Sequence, residues 1–458
     1  MTNNEGLKKF TTVNFLNFAL GFLGLQFAWQ MRIILSGPVT ENLGADAFLY
    51  GLIWLAGPFT GMVVQPLIGA LSDKTKSRFG RRRPYLLGGA IIASIALWLF
   101  PNSGNIANGF SHFTGMNLPT WSGLLIAAVM IWIIDACINI AQGPYRALIP
   151  DVVQPEQHSL ANSYISLAIG LGSVIAAATA PFLKLVFHYQ MSVNAQFIMA
   201  ALAFSLAMLW TCLTIKEKST ANAEVVEERK EEVGFWKSMV EFFALSPEVS
   251  KICVMQFFTW IGMMCMMIFF TNFAIHTVYG VPDLTKLSAD AQQTFMAAQT
   301  SATNYSSICF AIFNLVCFVI AVPIGFLAGK FGNKKVHIIS LLSMVIAYLG
   351  MGFFCTVKPV VTVCMALSGI GWASVCALPF AMLSKYIKAG TEGSVMGIFN
   401  IFIAGPQVFV CTLVAWIINK SVLYTNEMYN NHYEYSFFIG ALCLLIACLL
   451  YTSPSPRD

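Results

Sequence analysis

The chain has 458 residues, of which 57% are hydrophobic and only 10% charged, with a formal net charge of +5. A soluble protein carries about a quarter charged residues, so a water-soluble globular fold is excluded and a membrane is implied as solvent. The positive balance sits in polar loops, without the interleaved aromatics or groove-reading motif that a nucleic-acid partner needs.

Twelve apolar stretches are predicted to be membrane helices. They cover residues 10–35, 46–72, 84–101, 121–149, 160–187, 195–215, 250–278, 303–329, 336–356, 359–384, 394–419 and 435–451. The first begins close to Met1 and is too long for the core of a cleavable signal, so it reads as a retained helix. It carries Gln26, Trp29 and Gln30 at helical spacing, then Arg32 near its outer end. An arginine there either snorkels to the interface or pairs with an acid inside the bundle.

The second stretch runs into Gly69-Ala70-Leu71-Ser72-Asp73, followed by Lys74, Lys76, Arg78, Arg81, Arg82 and Arg83. Those cations cannot enter lipid and hold the turn in water. Asp73 closes a helix, where the macrodipole disfavours an anion. Arg81, Arg82 and Arg83 are the donors within reach.

The fourth stretch contains a carboxylate deep in a span, Asp135. Placing an Asp at a helix centre costs about 2.5–3.5 kcal/mol, which makes it a functional hypothesis by default. Asn139 and Gln142 follow one and two turns on, along the same face. An acid kept from water suits proton uptake on one side and release on the other; the plainer reading is a hydrogen bond between helices. Arg146 and Asp151 lie further along, towards the cytoplasmic end.

Residues 216–249 form a long middle loop. A charged run from Glu224 to Glu232 reads as a solvated linker. Trp236, Met239, Val240 and Phe243 then follow at the spacing of a short helix lying on the inner leaflet. In the second half, Gln256 and Trp260 share one face of the seventh stretch, and Trp372 lies midway along the tenth. Sugars stack their C–H faces on indoles and pair their hydroxyls with amides, so these residues suit a sugar. Tight packing and interhelical hydrogen bonding are the alternatives. The tail 452–458 has little of the character of a cytoplasmic tail and is left out of the fold.

The twelve cysteines fall inside apolar stretches with no Cys-x-x-Cys pair, so disulfides and a zinc site are not expected. With no phosphate-binding loop, His–Glu metal motif or nucleophile elbow, neither an enzyme nor a resident cofactor is expected.

The two halves echo each other. Pro144-Tyr145-Arg146-Ala147-Leu148 and Ser159 recur at one constant offset as Pro379-Phe380-Ala381-Met382-Leu383 and Ser394. Asp135 falls opposite Ile370, so one acid in one half predicts one proton per cycle. The fold expected is an all-α membrane protein of twelve helices in two pseudo-symmetric six-helix bundles, 1–216 and 250–458, joined by a cytoplasmic linker over 217–249. Repeated bundles rocking about a mid-membrane site are the architecture of secondary transporters. Lys and Arg crowd one side of this topology, leaving Arg32, Lys184, Lys286, Lys358 and Lys420 on the other. Both termini are therefore expected in the cytoplasm, with the chain in the plasma (bacterial inner) membrane.

Gly69-x-Leu71-Ser72-Asp73 with Phe79-Gly80-Arg81-Arg82-Arg83 resembles the signature between helices two and three of the major facilitator superfamily. The longer pattern runs from Gly57-Pro58 through Gln65-Pro66-Leu67 to Ser77-Arg78 and Pro84. It is similar to the sucrose- and maltose-type proton symporters, near the glycoside–pentoside–hexuronide:cation symporters. Asp135, with Gln142-Gly143-Pro144-x-Arg146-Ala147-Leu148, resembles the fourth-helix motif of the sucrose carriers, whose acid at this position is the proton site. The resemblance implies the major facilitator fold, with helices one, four, seven and ten lining a cavity. Asp135 is then the coupling acid. Gln26, Trp29, Gln30, Asn139, Gln142, Gln256, Trp260 and Trp372 are the sugar-contact candidates. Asp73, Arg81, Arg82, Arg83, Arg146 and Asp151 are the candidate cytoplasmic gate. The plant carriers have an uncharged residue where this chain has Arg32, and a His in the following loop where it reads Gly44-Ala45-Asp46-Ala47. The expectation is a monomeric symporter of a disaccharide or related glycoside working by alternating access. Its coupling ion is the proton, with sodium as the alternative. A proton-driven exporter of small amphiphiles would use the same acid and gate around a more apolar cavity. A ligand sensor without transport is the third reading.

Overall fold

The computed structural model describes residues 9–217, 219–220, 240, 242–386, 392–419 and 432–452. Lipid offers no water to a backbone N–H or C=O, so a spanning chain satisfies them internally as helix. Eleven helices among these residues are long and apolar enough to cross a membrane: α1 (Thr12–Glu41), α2 (Ala47–Lys74), α3 (Arg83–Thr114), α4 (Ser122–Val152), α5 (Pro155–Phe187), α6 (Val193–Thr214), α7 (Pro247–Val278), α8 (Ala289–Phe331), α9 (Asn333–Phe353), α10 (Lys358–Tyr386) and α11 (Ile398–Asn419). A shorter α12 (Glu434–Thr452) completes twelve. Thr11, Asp46, Ser192 and Ser246 cap their helices by accepting a backbone N–H in the first turn.

Two helices outrun their apolar stretches. Helix α3 continues to Thr114 instead of ending near 101, and α8 starts at Ala289 instead of 303. Asn105 and Asn108 in the first extension, and Asp290, Gln292 and Gln293 in the second, lower the hydropathy without stopping the helix. Helix α2 breaks at Leu55 into Ala47–Trp54 and Ala56–Lys74.

The chain divides into two compact units, Met1–Ala45 with Ala56–Glu227, and Asp46–Leu55 with Glu228–Asp458. In the first, α1 packs on α5 and α6, α3 packs on α4 and α6, and the second part of α2 packs on α4. The second unit repeats these pairings six helices later: α7 on α11 and α12, α9 on α10 and α12, α8 on α10. Small residues allow the close approaches that bring helices together in lipid. A Cβ at Gly172 of α5 would lie 2.6 Å from the Leu23 carbonyl oxygen of α1, and one at Gly369 of α10 would lie 2.5 Å from that of Phe313 on α8. The opening of α2, Asp46–Leu55, belongs with the second unit, a grouping that the expected boundaries at 216 and 249 do not contain. There Gly51 meets the Cys411 carbonyl, and Asn419 donates to the Asp46 carboxylate at 3.1 Å.

Of the expected leaflet helix, Trp236 and Met239 lie outside the described residues. Val240 is exposed, while Phe243 sets its ring against Phe402 of α11.

Candidate functional site

Three groups of side chains match the residues singled out from the sequence. The first lies inside the first unit, near the middle of α4. Asp135 is fully buried, and its Oδ2 accepts a hydrogen bond from Arg32 Nη2 of α1 at 2.5 Å. Arg32 is fully buried too, so of its two expected placements it takes the ion pair and not the interface. Its guanidinium carbon stands 5.2 Å from the ring centroid of Trp29, one turn back. The Asp135 Oδ1 atom is buried without a hydrogen-bond partner among the described residues. Asn139 donates to the Asp135 carbonyl at 2.9 Å and to the Thr60 hydroxyl of α2 at 3.0 Å. It therefore ties α2 to α4 with the amide N–H that a sugar would otherwise use. Gln142 and Gln26 are half-buried and Gln30 is buried. Gln26 faces α5, its Cβ packed beside Gly172.

The second group lies where α2 ends, α3 begins and α4 ends. Arg82 donates to Asp73, to Ser72 Oγ at 2.6 Å and to Asp151 at 3.2 Å. Arg81 grips Asp151 with two bonds of 2.5 and 3.1 Å and stands 4.0 Å from Asp73. The Asp151 hydrogen bond and the surrounding carboxylates push the Arg81 guanidinium above its ordinary range, against the opposing effect of burial. Two expected members stand apart. The Arg83 guanidinium donates to the carbonyls of Cys212 and Phe79 and, among the described residues, to no carboxylate. Arg146 is exposed, with its guanidinium 5.6 Å from the ring of Phe22, and makes no ion pair among the described residues.

Sequence reasoning missed Glu217, the residue that organises this turn. Its carboxylate accepts the backbone N–H groups of Arg81 and Arg82, each at 2.9 Å, and of Arg83 at 3.4 Å. Helix α3 starts without a side-chain cap from its own sequence, so its first donors need an acceptor from elsewhere. Thr220 adds bonds to the Thr75 and Ser77 carbonyls. The legible signal was the uncapped helix start, not the glutamate between two lysines.

The third group is in the second unit. Gln256 and Trp260 share a face of α7, and Trp372 of α10 meets Trp260 edge to face at 5.6 Å. Gln256 is fully buried, and its amide nitrogen and oxygen, like the Trp260 indole nitrogen, have no hydrogen-bond partner among the described residues. Buried polar groups are normally paired, and an amide with an indole N–H beside two rings matches a hydroxylated, partly apolar ligand. A buried His337 of α9, bonded to Ser374 of α10 at 2.7 Å, was not anticipated.

The chain is 26% identical to the sucrose transport protein SUC4 of Arabidopsis thaliana over 423 residues, 84% of this chain and 80% of that protein. It is 28% identical to the general alpha-glucoside permease of Schizosaccharomyces pombe over 280 residues, 59% of this chain and 49% of the permease. Among solved structures, the D-xylose-proton symporter superposes with a TM-score of 0.66 at 14% identity, covering 97% of this chain and 98% of its own. The nucleoside transporter NupG gives 0.61 at 14%, covering 96% and 98%. At such identities these structures speak to the fold alone. The Major Facilitator Superfamily model matches residues 16–408 and 287–458, and with the helix pairings repeated between the two units, the chain belongs to that superfamily.

Proposed function

We propose that the protein is a cation-coupled sugar symporter, not an enzyme, importing a disaccharide or related glycoside with one proton per cycle. The observation that carries this reading is the fully buried Asp135, held by Arg32 across α1 and α4. An ionisable group so placed in a membrane helix marks an ion or substrate pathway. The sugar class rests on the sucrose and alpha-glucoside relatives and on the open amide and indole groups of Gln256 and Trp260. Sodium is the competing coupling ion. The chain sits in the plasma membrane as a monomer with both termini in the cytoplasm.

In the proposed cycle Asp135 takes the cation from outside, sugar binds, and the two units rock to open the inner side. A neutral sugar carried with one proton moves one charge. At about 100 mV the field supplies roughly 2.3 kcal/mol, close to fiftyfold accumulation. The Asp73–Arg81–Arg82–Asp151 cluster acts as the inner latch. Neutralising Asp73 is expected to raise the reactivity of inner-facing cysteines towards impermeant reagents, and an unchanged reactivity would remove the latch role.

Uptake of labelled sucrose and maltose into proteoliposomes under an inward proton gradient tests the whole reading. Wild type should concentrate one of them. Asp135→Asn should equilibrate it without accumulation. A variant that still concentrates sugar refutes the coupling assignment.

A further inference from the structure

Two helices run past their apolar stretches, and their extra turns differ in chemistry. Those that α8 adds over residues 289–302 expose Asp290, Gln293, Thr294 and Thr300, with Met296 as the large apolar side chain in the open. Those that α3 adds, Ser103–Thr114, belong to a stretch without one Asp, Glu, Lys or Arg from residue 84 to residue 134. The crossing itself is used up before they begin. Arg83–Leu99 has 17 residues, roughly 26 Å of helix, against about 30 Å of hydrocarbon. Pro101, with no N–H to give, then sits in a 3-10 turn over Phe100–Asn102.

The residues of Ser103–Thr114 sort onto three sides. Ser103 and Ala107 are buried, and a Cβ at Gly123 of α4 would stand 3.1 Å from the Gly104 Cα, so packing fixes which way the helix faces. Asn105, Asn108 and His112, at i, i+3 and i+7, form an exposed polar side. Ile106, Phe110 and Phe113, at i, i+4 and i+7, form an apolar side, on which Phe110 is 54% and Phe113 89% exposed. Gly115, at φ +68°, ends the helix, and Met116 and Trp121 beyond it are exposed too. Rings left in water forgo the gain of covering apolar surface, and the packed side of the helix does not cover these.

We propose that Ser103–Thr114 is an interfacial anchor. It lies along the membrane surface at the end of α3 remote from Arg83, with Ile106, Phe110 and Phe113 sunk between headgroups and acyl chains and the side of Asn105, Asn108 and His112 turned to water. Continuity with a spanning helix brings it to that surface. The split into an apolar and a polar side is what lying in the interface requires, and aromatic rings gather at that depth in membranes. With no charged residue in the segment, nothing selects anionic headgroups, so a neutral bilayer serves equally. The anchor is independent of which substrate is carried.

Nitroxide labels read the depth. The full chain is reconstituted into phosphatidylcholine vesicles, with and without phosphatidylglycerol, and labelled at Phe113→Cys, at Asn108→Cys and, on the α8 extension, at Thr294→Cys, with the signal of the unsubstituted chain subtracted. Power saturation by oxygen, which collects in lipid, and by a water-soluble nickel chelate places each label. The label at 113 should lie about 5–10 Å below the headgroup surface in both bilayers, and those at 108 and 294 should meet the chelate. Water access at 113 equal to that at 294 overturns the anchor. So does a label at 108 as deep as that at 113, or insertion only in the presence of phosphatidylglycerol. A label at 113 shielded from both reagents overturns it in favour of a protein partner or a second copy on this side. If Phe113→Cys does not fold, Phe110→Cys reports the same side with the same outcomes.

Discussion

Asp135 was legible as an acid in an apolar helix, because hydropathy reports such a misfit directly. Its partner was half legible: Arg32 stood near an outer helix end, and only the packing of α1 on α4 decided between lipid interface and ion pair. The second unit offers a sharper test at this scale. Gln256 is buried with both amide atoms unpaired among the described residues, and an unpaired buried polar group costs about 1–3 kcal/mol. Gln256→Leu is therefore expected to raise the melting temperature in detergent while lowering sucrose or maltose affinity by about tenfold, roughly the 1.4 kcal/mol of one lost hydrogen bond. Trp260→Phe keeps a ring and removes the N–H, so it should weaken binding without changing the melting temperature. Opposite signs for stability and affinity distinguish a ligand contact from a packing residue.

Among elements, the turn between α2 and α3 depends on a residue distant in sequence. Gly80 has φ +93°, and a side chain there would also collide with the Glu217 carboxylate. Gly80→Ala should cost about 1–3 kcal/mol from backbone strain alone, read as a lower thermal midpoint. Glu217→Ala strands the N–H groups of Arg81 and Arg82 and should lose a similar amount, about 1–3 kcal/mol. Glu217→Gln, which keeps an acceptor, should lose less. The uncapped start of α3 was the one readable sign; that Glu217 fills it was not, since a backbone donor served from a distant residue leaves no mark in composition. The helix ends of α3 and α8 were misjudged for a related reason: hydropathy marks where lipid ends, and hydrogen bonding marks where a helix ends.

For the whole molecule, the twelve helices and their division into repeats were legible because a bilayer admits few solutions. The assignment of Asp46–Leu55 to the second unit was not, because it depends on Gly51 fitting against α11. The orientation across the membrane is tested by cysteines placed at the exposed Lys76 and Lys286. With the unsubstituted chain as background, Lys76→Cys should react with an impermeant maleimide only from the inside and Lys286→Cys only from the outside. The reverse pattern would invert the topology. The 43 residues of α8 extend roughly 65 Å, about twice the hydrocarbon thickness of about 30 Å. The length beyond the lipid, continuous with a spanning helix, gives an antibody fragment a foothold. Electron images of a carrier this small could be aligned on such a marker.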